Sequence, residues 1–370
     1  MNLKNKKIII LQDYFLYKGG GERLVITLAK ALNADIATSF ITPHAFNPRD
    51  YGIKTIELTT DGYFSHIPGA RYLKVQSSFI FKTKFLKNYD IVIYSGDCLS
   101  AIHNVKNKLN IAYIHTPPRH LYDNYQLRLK EYKFLKRQIF KIFAAINRPR
   151  FRCCAKKMNV LIANSKTVQN RIKKYLNLNS KIVFPPCDIK KFKWIKQGDY
   201  YFSYARLYDV KRVDKIVEAF IKMPNKKLII ASGGPELNKI KQMARGHDNI
   251  KILKWISDEK LLNLLGSCLA TIYIPLQEDF GMTPVESMSA GKPIVAVDEA
   301  GLKETIIHQK TGLLLKPNFK IQDIINAVNE LDKQKALLMR EDCELRARDF
   351  SEDIFIEGMK NVLRNIRLVA

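Results

Sequence analysis

Cysteine is scarce in this chain: six in 370 residues, none in a Cys-x-x-Cys pair. That rules out a disulfide framework or a cysteine-based zinc site and suits a reducing cytoplasm. Long apolar runs are missing too, since none approaches the ~20 residues of a membrane span. The start is basic and then apolar, Lys6-Lys7 followed by Ile8 to Leu11. Gln12 and Asp13 cut the apolar part short and no small-residue cleavage site follows, so it is not read as a signal peptide. No short repeat recurs, which excludes a solenoid. With 46% hydrophobic residues the composition is that of a folded globular protein, neither disordered nor collagen-like.

Acid is the other shortage. Lys and Arg number 62 against 35 Asp and Glu, a net charge of +27. The imbalance is lopsided: residues 1–185 hold 32 bases and 10 acids, residues 186–370 hold 30 and 25, and residues 101–185 hold 19 and 2. The first half is free to face something anionic, whether nucleic acid, a membrane surface or a substrate. A Lys-rich solvated surface is the plain alternative.

A length of 370 residues implies two domains rather than one core. The first half opens with a strand-like run, Lys7 to Leu11, then a glycine turn at Gly19 to Gly21 and a helical pattern over Glu22 to Leu32. Strand, glycine loop and helix make the first unit of a βαβ arrangement. Further short apolar runs, Asp35–Phe40, Ile53–Leu58, Asp90–Tyr94, Asn110–Ile114 and Val160–Ala163, read as buried parallel strands. In the basic, aromatic-rich stretch 124–158, Pro149 interrupts what would otherwise be a helix pair. Pro185-Pro186 marks a linker. The second half repeats the alternation. Strands are expected at Tyr200–Ala205, Lys227–Ala231, Asn249–Trp255, Ala270–Ile274 and Pro293–Val297. Helices are expected at Val213–Ile221, Asp258–Leu265, Thr283–Ala290, Ile321–Leu331 and, amphipathic, Glu352–Leu368. The expected fold class is α/β: two doubly wound Rossmann-like domains, residues 1–185 and 186–350, facing across a cleft. The C-terminal helix, residues 351–370, is expected to pack back toward the first domain.

The sharpest local feature is Glu278-Asp279-Phe280-Gly281-Met282-Thr283-Pro284-Val285-Glu286. It follows an expected parallel strand, at the end where open α/β sheets bind ligands. Helix onset over Phe280 to Thr283 would aim backbone N–H groups at an anionic ligand. The two glutamates can accept charge-assisted hydrogen bonds from two hydroxyl-bearing parts of one molecule. An acidic first helical turn with no ligand is the plain alternative.

Glu278 and Glu286 with seven residues between, followed by Ser287 to Ala296, resemble the signature of the retaining GT-B glycosyltransferases of family 4. Ser203 to Asp214 resembles that family's diphosphate segment, with Arg206 and Lys211 as its cations. Gly301 to Ile306 and Thr311 to Leu314 match its closing motifs, and Gly19-Gly20-Gly21-Glu22-Arg23 resembles its first glycine loop. Tyr113-Ile114-His115-Thr116-Pro117-Pro118-Arg119 is similar to a segment of its bacterial mannosyltransferase branch. The resemblance covers nearly the whole chain and implies the GT-B fold.

It also implies an activity: transfer of a hexose, mannose from GDP-mannose in the favoured case, to a hydroxyl of a glycan or lipid-linked glycan acceptor. The alternative is a UDP- or dTDP-sugar donor. Arg206 and Lys211 would neutralise the departing diphosphate, with Lys211 at the start of the next helix. Glu286 would hold the ribose. Glu278 and the backbone of Phe280, Gly281, Met282 and Thr283 would hold the hexose and its phosphate. Gly20 and Gly21 would let backbone close over the phosphates, Ile256 would lie near the base, and His115 would orient the sugar. Trp255 reads equally well as a base stacker and as a core residue. Arg119, His120 and Asp123 are acceptor-side candidates. No Asp-x-Asp occurs, which agrees with the metal-independent site and the lack of a cofactor that the family implies.

Residues 128–157 and 72–87 read as basic amphipathic segments of the kind that bind anionic lipid. The implied location is cytoplasmic, peripheral at the inner membrane face, with an anionic membrane surface as partner. A basic nucleic-acid-binding protein is the rival from another class. No helix-turn-helix, zinc finger or RNP-like string supports it, so nucleic acid is not expected as a partner.

Overall fold

The computed structural model describes residues 5–105 and 108–366. The start at Met1 to Lys4 and the expected helix end at Leu368 lie outside the described residues. The chain forms two compact units, one made of residues 1–184 with 355–370, the other of residues 185–354.

The first unit is built on a seven-stranded sheet. Its strands are β1 (Ile8–Gln12), β2 (Asp35–Thr38), β3 (Thr55–Glu57), β4 (Ile91–Ser95), β5 (Leu109–Ile114), β6 (Val160–Ala163) and β7 (Lys181–Ile182). Their order is β3-β2-β1-β4-β5-β6-β7, every pairing parallel. β1, β4 and β5 are buried along their whole length, as sheets covered on both faces require. Their period of two divides the core. Ile9, Leu11, Val92, Tyr94, Ala112 and Ile114 face one cluster, and Ile8, Ile10, Ile91, Ile93, Ile111 and Tyr113 the other. The second cluster also takes Phe355, Met359, Val362 and Leu363 of the last helix, Glu352–Arg364. That spacing is one helical stripe, and each such side chain contributes ~1.5–3 kcal/mol on burial.

The second unit holds a six-stranded parallel sheet. Its strands are β8 (Tyr200–Ser203), β9 (Lys227–Ala231), β10 (Ile250–Leu253), β11 (Ala270–Tyr273), β12 (Ile294–Val297) and β13 (Gly312–Leu315). Their order is β10-β9-β8-β11-β12-β13. In each sheet the chain winds one way from one central strand and the other way from its neighbour. The switch points lie between β1 and β4 and between β8 and β11, where ligands of such sheets bind.

Four expectations need correction. Pro149 does not divide two helices, because one helix runs from Phe134 to Lys156 with Pro149 inside it. Pro149 and Ala145, whose carbonyl loses its usual donor, are both exposed, so water can replace the missing bond. The glycine turn is not a separate loop. Gly20 and Gly21 are the first two residues of helix Gly20–Leu32, capped by Gly19. Lys211 does not open a helix either. It ends a 3-10 turn, Asp209–Lys211, and helix Val213–Ile221 follows after Arg212 at φ 52°. Strand β8 stops at Ser203, two residues before the expected end, because Tyr204 already leaves the sheet for the ligand end.

Candidate functional site

In the second unit, the segments leaving β8 and β11 meet at the switch point. Arg212 ties them together: its Nε donates to the Ile274 carbonyl at 2.6 Å and an Nη to that of Pro275 at 2.7 Å. Glu299 Oε2 lies 3.7 Å from the same guanidinium. Arg212 therefore sets the path of the segment that carries Glu278. Lys211 then reaches Glu278, its Nζ 2.6 Å from Oε2, and donates to the Tyr273 hydroxyl at 2.7 Å. Both partners of the ion pair are about three-quarters buried.

Glu286 lies one helix turn beyond. The Tyr204 hydroxyl donates to the Thr283 carbonyl at 3.0 Å and comes within 3.3 Å of Glu286 Oε2. Burial, reinforced by Glu286, pushes the Tyr204 phenol far up, and burial with Glu278 does the same to Tyr273. Both therefore remain neutral hydrogen-bonding groups. Tyr273 also feels Glu286 and bonds Thr283, so it links the two acidic side chains. Neither tyrosine was singled out from sequence. The available signal was a tyrosine at or just past the carboxyl end of a buried parallel strand.

Helix Met282–Ser289 begins at Gly281, whose φ of 91° favours glycine and where a Cβ would lie 2.6 Å from Leu302 Cδ2. Phe280 is buried and packs edge-to-face on Phe350 at 5.4 Å, so it offers a ligand only its backbone. Met282 and Thr283 are half-buried. Arg206, half-buried, stands on the β8 exit, where its carbonyl accepts from Tyr208 N at 2.8 Å. Ile256 is half-buried just past β10, two strands from β8. Trp255 is 70% exposed, which removes its core reading. Its indole lies over Gly233, where a Cβ would come within 2.3 Å of Nε1.

In the first unit, His115 leaves β5 with its Nε2 2.9 Å from Ser95 Oγ and its ring edge-on to Tyr113 at 5.3 Å. Burial depresses its pKa to about 4, so the imidazole is neutral at physiological pH. Gly21 is its neighbour, since a Cβ there would lie 3.6 Å from His115 Cε1. A hollow of about 330 Å³ opens beside it, and Arg119 and His120 line it with His115. His120 also packs edge-on to Tyr72 at 6.0 Å. Asp123 is not on that lining. It holds Arg171 Nε at 2.9 Å and accepts from the Tyr175 hydroxyl, with Arg119 Nε 4.0 Å away, so it anchors the loop rather than facing the hollow. Gln12, Asp13 and Asp97 do line it, and sequence reading missed all three. Among the described residues, no three His, Cys, Asp or Glu side chains gather as a metal ion would need.

The family described as glycosyl transferases group 1 matches residues 186–350. The alpha-1,3/1,6-mannosyltransferase ALG2 of Dictyostelium discoideum is 33% identical over 136 residues, 35% of this chain and 32% of the relative. The chain thus spans about a third of that relative's length. An uncharacterised glycosyltransferase of Methanocaldococcus jannaschii is 25% identical over 372 residues, 97% of this chain and 98% of its own. Anabaena HepE, solved in complex with UDP and glucose, superposes with a TM-score of 0.74 at 18% identity, covering 98% of this chain and 100% of that one. The fold is that of the GT-B glycosyltransferases.

Proposed function

We propose, from the match of residues 186–350 to the glycosyl transferases group 1, that the protein is a retaining, metal-independent hexosyltransferase that uses a nucleotide-sugar. The observation that carries this reading is the joining of Lys211, Glu278 and Tyr273, with Glu286 on Tyr204, at the β8/β11 switch point. Arg206 and Lys211 offset the charge that grows on the leaving diphosphate. Glu286 accepts from the ribose, and Glu278 with the N–H groups from Phe280 to Thr283 holds the hexose and its phosphate. Also in the second unit, Ile256 lies beside the base; in the first unit, Gly20 and Gly21 offer helix N-terminal N–H groups to phosphate and neutral His115 offers a hydrogen bond that orients a sugar. In the transfer, the bond from the anomeric carbon to the phosphate oxygen breaks and a bond to the acceptor oxygen forms on the same face. The acceptor's proton passes to the departing diphosphate.

The favoured donor is GDP-mannose. The His115-Thr116-Pro117 segment and the mannosyltransferase relative support it, while the UDP and glucose complex of HepE keeps a UDP-sugar as the second donor. The proposed acceptor is a glycan or lipid-linked glycan, presented at an anionic membrane surface on the cytoplasmic side. No helix among the described residues is long and apolar enough to cross a membrane. Peripheral docking is supported by helix Phe134–Lys156, which exposes Leu135, Ile139, Ile142 and Ile146 in one stripe and contains no acidic residue.

A panel of GDP-, UDP-, dTDP- and ADP-sugars tests the reading by nucleotide release with and without added glycans. Turnover greatest with GDP-mannose is expected. If no donor turns over and no nucleotide raises Tm, the reading fails.

A further inference from the structure

We propose that Glu299 is a positioning residue for the transfer: its carboxylate holds three left-handed backbone turns together, and those turns place Lys211 and Glu278. The inference rests on the glycosyl-transfer reading and deepens it, because it names what holds the donor side of that site in shape.

Among the described residues, six other than glycine have a positive φ. Asn33 and Asn177 cap the C-termini of helices, where that conformation is ordinary. Three of the remaining four gather around one carboxylate: Arg212 at 52°, Gln277 at 53° and Ala300 at 51°. A residue with a Cβ seldom keeps such a backbone unless its surroundings hold it there, and residues held in this way cluster at functional sites. Here each has a telling neighbour. Arg212 follows Lys211, Gln277 precedes Glu278, and Ala300 follows Glu299.

Glu299 stands just past β12 and reaches the other two turns. Its Oε2 accepts from Gln277 N at 3.3 Å, and its Oε1 accepts from the Gln277 side-chain amide at 2.5 Å. Oε2 also lies 3.7 Å from Arg212 Nη2. An ionised carboxylate only accepts, and its two oxygens have room for all three donors. The Glu299 and Arg212 side chains are each 13% exposed, so water screens their attraction little. The Phe319 ring, 4.9 Å from the guanidinium carbon, holds Arg212 from another side.

Backbone bonds join the same segments. Leu276 N donates to the Val210 carbonyl at 2.7 Å, and Gly301 N donates to that of Glu278 at 2.9 Å. The exits of β8, β11 and β12 therefore share one acid. Without it, Arg212 loses its counter-charge and the backbone at 277 and 300 relaxes toward negative φ. Lys211 and Glu278 then no longer meet as they do here. Glu299 acts on the reaction through Arg212 and Gln277.

The test uses the full chain with Glu299→Ala, alone and combined with Gln277→Gly and Ala300→Gly. Glu299→Gln, with and without the same glycines, carries the comparison if the alanine variant does not fold. Well below Tm, kcat/KM with the best donor should fall ~10²-fold in Glu299→Ala, the usual effect of a misplaced site. The glycines should recover about tenfold or more of it, since glycine takes a left-handed φ without steric cost. A purely structural role would give back Tm and not activity, so that outcome overturns the inference. So does a change in kcat/KM below about twofold in the folded single variant. Hydrogen exchange at the Gln277 and Gly301 amides is read on the same samples and should quicken in the single variant. If the wild type turns over no donor, the glycosyl-transfer reading fails by itself. Exchange then decides this one: quickened amides uphold the clamp, and unchanged amides overturn it.

Discussion

Lys211 Nζ lies 2.6 Å from Glu278 Oε2, although the two residues stand 67 positions apart in the chain. β8 and β11 are neighbours in the sheet, so the segments leaving them meet. The cation assigned to the diphosphate and the acid assigned to the hexose are thereby coupled: altering either one changes the setting of the other.

Replacing Lys211 by Ala should lower kcat/KM by ~10²–10³, the usual effect of removing one charge that stabilises a transition state. Stability should fall as well, because the Glu278 carboxylate, about three-quarters buried, loses its cation. Arg should restore the activity incompletely, since a planar fork does not fit where one point donor serves Glu278 and Tyr273 together. Steady-state kinetics with the best donor checks this, and wild-type turnover in Lys211→Ala would remove its role.

Glu286→Ala should act mainly on donor binding. A hydrogen bond to a charged group contributes ~1.5–3 kcal/mol, so KM for the donor should rise by roughly ten- to a hundredfold. Tyr204→Phe removes only the hydroxyl that meets Glu286 and the Thr283 carbonyl. Its effect should be smaller, near ~1 kcal/mol or about fivefold in KM, with kcat held. Equal donor KM in Tyr204→Phe and wild type would show that the tyrosine does not position Glu286.

His115→Ala should lower kcat by ~10²-fold. The pH profile carries a separate expectation. Burial depresses the imidazole to about 4, so it stays neutral throughout pH 5.5–7.5 and contributes no limb there. A limb near pH 6.5 in the wild type that vanishes in the variant would contradict this.

Asp13 predicts a pH-dependent stability. Burial first, and then the Asp97 charge, raises its pKa from 3.8 to about 8. Between those values the folded state keeps a proton that the unfolded state releases, so stability is lost as pH rises. Asp97, raised to about 6, acts in the same direction, and His115, lowered to about 4, acts oppositely. Asp13→Asn removes only the first of these contributions. The Tm of the variant minus that of the wild type should therefore grow more positive from pH 5 to pH 9, and a flat difference would contradict the assignment.

The exposed stripe Leu135, Ile139, Ile142 and Ile146 should drive binding to anionic vesicles. Each nearby Lys or Arg contributes ~1 kcal/mol, and salt should weaken the binding. The double variant Ile139→Asp with Ile142→Asp should lose most of it in a sedimentation assay. Equal partitioning to neutral and anionic vesicles would count against membrane docking.

The linear chain was enough for what depends on near neighbours. Helix Val213–Ile221 and strands Lys227–Ala231 and Val160–Ala163 begin and end where periodicity puts them. The Glu278 to Glu286 string reads as a strand exit and helix start because its spacing is local. Whether Pro149 breaks a helix was not legible, since that turns on whether one carbonyl faces water. The partners of the site were not legible either. Tyr204 reaches Glu286 across 82 positions and Asp97 N reaches Asp13 across 84. Which strands lie side by side decides such meetings, and sheet order follows from how whole elements bury their apolar faces, a property that no short window of residues contains.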